Sequence, residues 1–138
     1  MRPSSEMGRI IAQVQIANAI DTSRQTTVSG LVDTGAAYLT LPMAWKARFD
    51  PFASTQTVEV ETASQDTVQG EVCGPVRIEI EGFRPIYSEV LFIEMHPTDG
   101  VYEPLLGYLP LEQSQAAVDM VGHRLVHARR VDLKRLAA

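Results

Sequence analysis

One stretch of twelve residues, Leu31-Val32-Asp33-Thr34-Gly35-Ala36-Ala37-Tyr38-Leu39-Thr40-Leu41-Pro42, constrains the fold more than any other. Two apolar residues with strand preference run into Asp-Thr-Gly, and a second apolar strand leaves it. A carboxylate therefore stands at the tip of a loop whose walls are buried. Gly35 permits a close backbone approach that a Cβ would forbid. Thr34 supplies a hydroxyl that donates one hydrogen bond and accepts others. The tripeptide alone is weak, because Asp-Thr-Gly is ordinary turn chemistry and it or Asp-Ser-Gly occurs by chance in roughly one chain in fifteen of this length.

Its surroundings add specificity. Leu31 to Ala36 match the pattern apolar-apolar-Asp-Thr/Ser-Gly-Ala/Ser at every position, and downstream Leu105-Leu106-Gly107 precedes Tyr108-Leu109-Pro110-Leu111-Glu112. Together the two segments resemble the retropepsin-like (retroviral-type) aspartic proteases, in their single-domain, bacterial-type form, over about residues 8 to 127. The resemblance implies an all-β, closed-barrel acid-protease fold with one or two short helices. In it Leu106 and Gly107 form a second loop that closes the fold beside the catalytic one.

The rest of the chain suits that class. Its 138 residues make one domain by length, with a formal net charge of −5. There is no basic stripe across the body and no apolar run of membrane-spanning length, so nucleic acid and membrane are not expected partners. The N-terminus Met1-Arg2-Pro3-Ser4-Ser5-Glu6 lacks the apolar segment of a signal peptide. Cys73 is the single cysteine, which excludes an intrachain disulfide and suits a reducing cytoplasm.

Residues 1 to 7 read as a disordered lead and residues 8 to 127 as the domain. Residues 128 to 138 form a basic tail. From residue 122 onward five cations face the single anion Asp132, so residues 1 to 121 carry −9. Along the domain, Ile10 to Ile16 alternates as a strand, and Asp21 to Gln25 is a polar turn that returns as Thr26 to Val32. Pro42 to Phe49 reads as a short helix with Pro42 at its first position, and Trp45 and Phe49 as core packing on one face. Gln56 to Glu61 and Thr67 to Val72 form a hairpin about the polar tip Ala63-Ser64-Gln65-Asp66. Val76 to Glu81 and Pro85 to Glu94 follow as strands, the second with the continuous apolar run Val90-Leu91-Phe92-Ile93. Ala116 to Met120 and Leu125-Val126 are short final strands.

Hydrolysis of a peptide bond by carboxylates needs two of them close together, so that one is ionised while the other keeps a proton. This chain has one Asp-Thr-Gly and is too short for two lobes. The resemblance then implies a homodimer that pairs Asp33 with its copy across a twofold axis, acting on peptides or unfolded proteins without cofactor or metal. It implies bracing roles for Thr34, Gly35 and Ala36, and a substrate-covering flap at Ala63, Ser64, Gln65 and Asp66. A non-catalytic peptide-binding or assembly module with the same fold is the alternative, and a monomeric domain of a larger complex a weaker third. His123 and His127 lie four apart, but Gly122 and the apolar pair Leu125-Val126 argue against a helical metal site. Cys73 lacks any local nucleophile motif and reads as a small core hydrophobe.

Overall fold

A computed structural model describes residues 9–62 and 64–128. The lead, the tip residue Ala63 and nearly all of the basic tail lie outside the described residues. The chain is built almost entirely of strands: β1 (Ile11–Asn18), β2 (Gln25–Val32), β3 (Leu39–Pro42), β4 (Ser54–Glu61), β5 (Thr67–Ile80), β6 (Ile86–Ile93), β7 (Leu105–Leu106), β8 (Ala116–Asp119) and β9 (Arg124–His127). A 3-10 helix, Met43–Arg48, follows β3, and α1 (Tyr108–Gln113) follows β7. The all-β expectation holds.

Seven strands form one sheet in the order β1-β2-β7-β3-β6-β5-β4, and an additional ladder joins β1 back to β5. The pairings thus run in a circuit from which only β4 projects. β5 makes this closure because it is long: Val76 to Ile80 pair with Asn18 to Val14 of β1, while Thr67 to Gly74 pair with Glu61 to Ser54 of β4. The sequence separates Thr67 to Val72 from Val76 to Glu81, yet the structure keeps one strand with a register shift between Cys73 and Val76. Pro75 has no N–H to give a ladder, so a bulge is where a continuous strand tolerates it.

Period-two alternation explains what is buried. Val14 and Ile16 of β1, Ile78 and Ile80 of β5, and Leu39 and Leu41 of β3 lose essentially all solvent contact around Phe49 and Phe92. Each such side chain contributes about 1.5–3 kcal/mol by leaving water. The apolar run of β6 lies between β3 and β5, with Val90, Leu91 and Phe92 buried. Cys73 is fully buried in the same cluster, and burial pushes its thiol up. A nucleophilic thiolate is disfavoured there.

Around the 3-10 helix the expected helix differs in kind. Pro42 is the last residue of β3 and the N-cap, not the first helical position. With about three residues per turn, Trp45 and Phe49 do not share a face. Both still pack as expected: Phe49 enters the core, and half-buried Trp45 lies against it, edge-on to Tyr102 and with the Arg48 guanidinium 4.7 Å from its ring centre.

One buried polar residue fixes this region to β1. The Asn18 side chain donates to the carbonyls of Phe49 and Pro51, both at 2.7 Å, and accepts from the amides of Ile20 and Asp21. A polar group so placed needs all its partners.

After α1 the chain folds back as the β8–β9 pair, antiparallel from Ala116↔His127 to Asp119↔Arg124. His127 lies 2.9 Å from the Gly82 carbonyl oxygen through Nε2, with its ring tilted over Phe83, so the pair docks on the β5–β6 turn. No helix is long and apolar enough to cross a membrane among the described residues.

Candidate active site

The tertiary fold brings the two sequence motifs into one structure. β7 is two residues long and lies between the strands that leave the Asp33 loop on either side. Leu31 and Val32 pair with Leu105 and Leu106 in parallel, and Leu39 and Thr40 pair with Leu106 and Leu105 antiparallel. The amide of Asp33 donates to the Leu106 carbonyl at 3.0 Å. On the far side of the turn Tyr108 and Leu109 donate to the carbonyls of Ala36 and Ala37, both at 2.9 Å. Asp33-Thr34-Gly35-Ala36 is therefore held at both ends by backbone from the second motif.

Within the loop, Ala36 N–H donates to the Asp33 carbonyl at 3.1 Å, and Gly35 N–H donates to Asp33 Oδ1 at 2.9 Å. These bonds close the turn and fix one oxygen of the carboxylate; Oδ2 has no hydrogen bond among the described residues. Thr34 is exposed, and its hydroxyl has no partner among the described residues. Gly107 is required by contact: a Cβ there would lie 2.5–2.6 Å from backbone atoms of Ala36, Ala37 and Tyr38. Its neighbour Leu106 is fully buried.

Asp33 opens into a cleft of about 690 Å³ walled by Tyr38, Val58, Val60, Ile93 and Leu105, with Thr62 toward the hairpin tip. Volumes of this order hold a short peptide segment. The β4–β5 hairpin forms one wall. Its tip is closed by Thr62 N–H donating to Asp66 O at 2.8 Å and Gln65 N–H to Thr62 O at 2.8 Å, with Gln65 in the left-handed region at φ 68°. A three-residue connection ending on a left-handed residue is a common hairpin solution. Ser64 donates to Asp66 Oδ2 at 3.2 Å. Ser64, Gln65 and Asp66 are absent from the cleft lining, and Ala63 lies outside the described residues.

Of the residues singled out from sequence, Asp33, Thr34, Gly35, Ala36, Leu106 and Gly107 meet in one place, and the hairpin tip stands apart from them. Sequence reasoning missed Tyr38, Val58, Val60 and Ile93. The alternation of β4 carried half the signal, since Val58 and Val60 are half-buried on an edge strand between exposed Glu59 and Glu61. The histidines form no metal centre: among the described residues no group of three or more His, Cys, Asp or Glu is arranged to hold an ion.

An all-β chain in which an apolar-apolar-Gly strand is threaded between the walls of an Asp-Thr-Gly loop has the retropepsin-like fold. Among solved structures it is similar to the EIAV protease complexed with the inhibitor HBY-793, with a TM-score of 0.54 and 22% identity over 76% of this chain and 86% of that one. No protein-family model and no curated protein sequence matches the chain.

Proposed function

We propose that this protein is an aspartic endopeptidase whose active unit is a homodimer. The observation that carries the reading is the Asp33 loop itself: a carboxylate at a turn pinned by Leu106, Tyr108 and Leu109, facing a cleft sized for peptide. One chain offers one such carboxylate. The other carboxylates of the lining, Glu59 and Glu61, stand on the hairpin wall and not in the loop. The second acid is Asp33 of a second copy, and the exposed Thr34 hydroxyls brace the two loops.

In that dimer the carboxylates share one proton, because two like charges side by side cannot both ionise cheaply. The ionised Asp33 takes a proton from water as the water attacks the scissile carbonyl. The protonated Asp33 hydrogen-bonds the carbonyl oxygen and then gives its proton to the departing amine. The substrate lies extended, making β-type backbone hydrogen bonds with alternate side chains in pockets, under a flap formed by the hairpin tip. The single unbridged cysteine suits a cytoplasmic location.

The test uses Asp33→Asn. It keeps the shape and removes the base, so cleavage of an unstructured protein should vanish while the melting temperature stays within a few degrees. Wild type mixed with excess Asp33→Asn chains should also lose activity beyond dilution, as heterodimers hold one ionisable Asp33. A wild-type rate unaffected by excess variant, with chain exchange confirmed by mass spectrometry, would sink the shared-site mechanism.

A further inference from the structure

The carboxylates that line the cleft are Asp33, Glu59 and Glu61, and no Lys, Arg or His lines it. The rest of the lining is apolar or uncharged. The bias begins in the sequence: from Phe49 to Val76, the segment holding the whole hairpin, there are five carboxylates and no cation. Two of the five are already engaged. Lys46 reaches Glu71 at 3.3 Å and Asp50 at 3.6 Å from the 3-10 helix. Glu59 and Glu61 make no ion pair among the described residues and are exposed on the edge strand β4.

A concave surface with apolar walls concentrates the field of whatever charge lines it. An extended peptide against β4 would meet Val58 and Val60 on one side of the strand and Glu59 and Glu61 on the other, since successive side chains alternate. We infer that Glu59 and Glu61 set specificity: the cleft takes peptides with an apolar segment and Lys or Arg within a few residues of it, and disfavours peptides with Asp or Glu there. This deepens the endopeptidase reading and rests on it. An exposed ion pair contributes modestly, so two of them give a preference of about fivefold. In a homodimer the same carboxylates recur on both sides of the shared site.

The experiment separates this inference from the peptidase reading by measuring binding. Three fluorescein-labelled peptides share one apolar core and are flanked by Lys, Gln or Glu; anisotropy gives their affinities for Asp33→Asn protein, which binds without turnover. Expected is the order Lys over Gln over Glu, with about fivefold between the first two at low salt. The preference should fade near 1 M salt, where charges are screened within about 3 Å. It should also collapse in a Glu59→Gln/Glu61→Gln version of the same protein, to which the Lys-, Gln- and Glu-flanked peptides should bind alike. Equal affinities, no binding by any peptide, or a Lys preference that survives the double substitution would overturn the inference. Lys-directed binding that vanishes in the double substitution, with no cleavage by wild type, would support it and defeat the peptidase reading instead.

Discussion

The α-carbon of Gly107 faces the carbonyl of Ala36 so closely that a Cβ on Gly107 would stand 2.6 Å from that oxygen. The obstacle is backbone on both sides, and that backbone is itself hydrogen-bonded, Tyr108 N–H to Ala36 O. Gly107→Ala should therefore push the second loop away from the first, at a cost of about 1–3 kcal/mol, as for other overpacking changes. Denaturant unfolding should show the loss, and peptide cleavage should fall further than stability does, since Asp33 N–H is held by the adjoining Leu106. Wild-type unfolding and activity in the Ala variant would show that the two loops are not braced in this way.

Thr34 is exposed in the single chain with its hydroxyl free among the described residues. Thr34→Val should leave the folding of an isolated protomer unchanged. If the hydroxyl bonds across the dimer axis, the same change removes a partner on each side, at about 1–3 kcal/mol per unsatisfied group. Sedimentation should then report a weaker dimer, while Thr34→Ser stays near wild type. Equal dimer affinity for the Val variant and wild type would remove Thr34 from the interface.

Asn18, only 1% exposed, makes four side-chain hydrogen bonds, two that join β1 to the segment after the 3-10 helix and two that hold the turn following β1. Asn18→Leu fills similar space and abandons two carbonyls and two amides, each costing about 1–3 kcal/mol if water cannot replace the partner. A large drop in thermal stability is expected, with the Asp33 cleft intact in whatever fraction remains folded. A variant as stable as wild type would mean that solvent reaches those groups.

The β8–β9 turn should loosen in acid. The amides of Gly122 at 2.9 Å and Val121 at 3.1 Å donate to Asp119, and Arg124 Nε approaches it at 3.3 Å. The Gly122 amide foremost, helped by Arg124 and Val121, holds this carboxyl below its ordinary value, although desolvation, the next largest effect after Gly122, opposes them. A group whose folded pKa is depressed stabilises above its unfolded pKa, and that stabilisation is lost as pH falls through the folded value. Amide exchange at Val121 and Gly122 should therefore become faster, relative to the intrinsic rate, as pH drops below about 4. Asp119→Asn should abolish that pH dependence; exchange protection that is flat across this range in wild type would refute the assignment.

Much of the site was legible because its signals are short-range. Leu31 to Leu41 states its own strand-loop-strand shape through apolar runs and one Gly turn, and the hairpin of Gln56 to Glu61 with Thr67 to Val72 follows from alternation around a polar tip. The same locality explains the misreadings. Gly74-Pro75 looks like a break within its own neighbourhood, but β1, β4 and β6 pair with β5 on either side of it and hold one strand through the bulge. Trp45 and Phe49 are four apart, which means a shared face only if the helix has α geometry.

By itself, then, the sequence determined the strand class, the position of the single Asp-Thr-Gly and the absence of a second one, since these depend on residue type and nearest neighbours. Only the tertiary structure decided that Leu105-Leu106 slides between β2 and β3, that Gly107 must lack a side chain, and that Tyr38, Val58 and Ile93 share a cleft with Asp33. Those facts join residues up to seventy-four positions apart. A two-residue periodicity fixes which face of a strand is apolar, but it carries no information about which strand that face will meet.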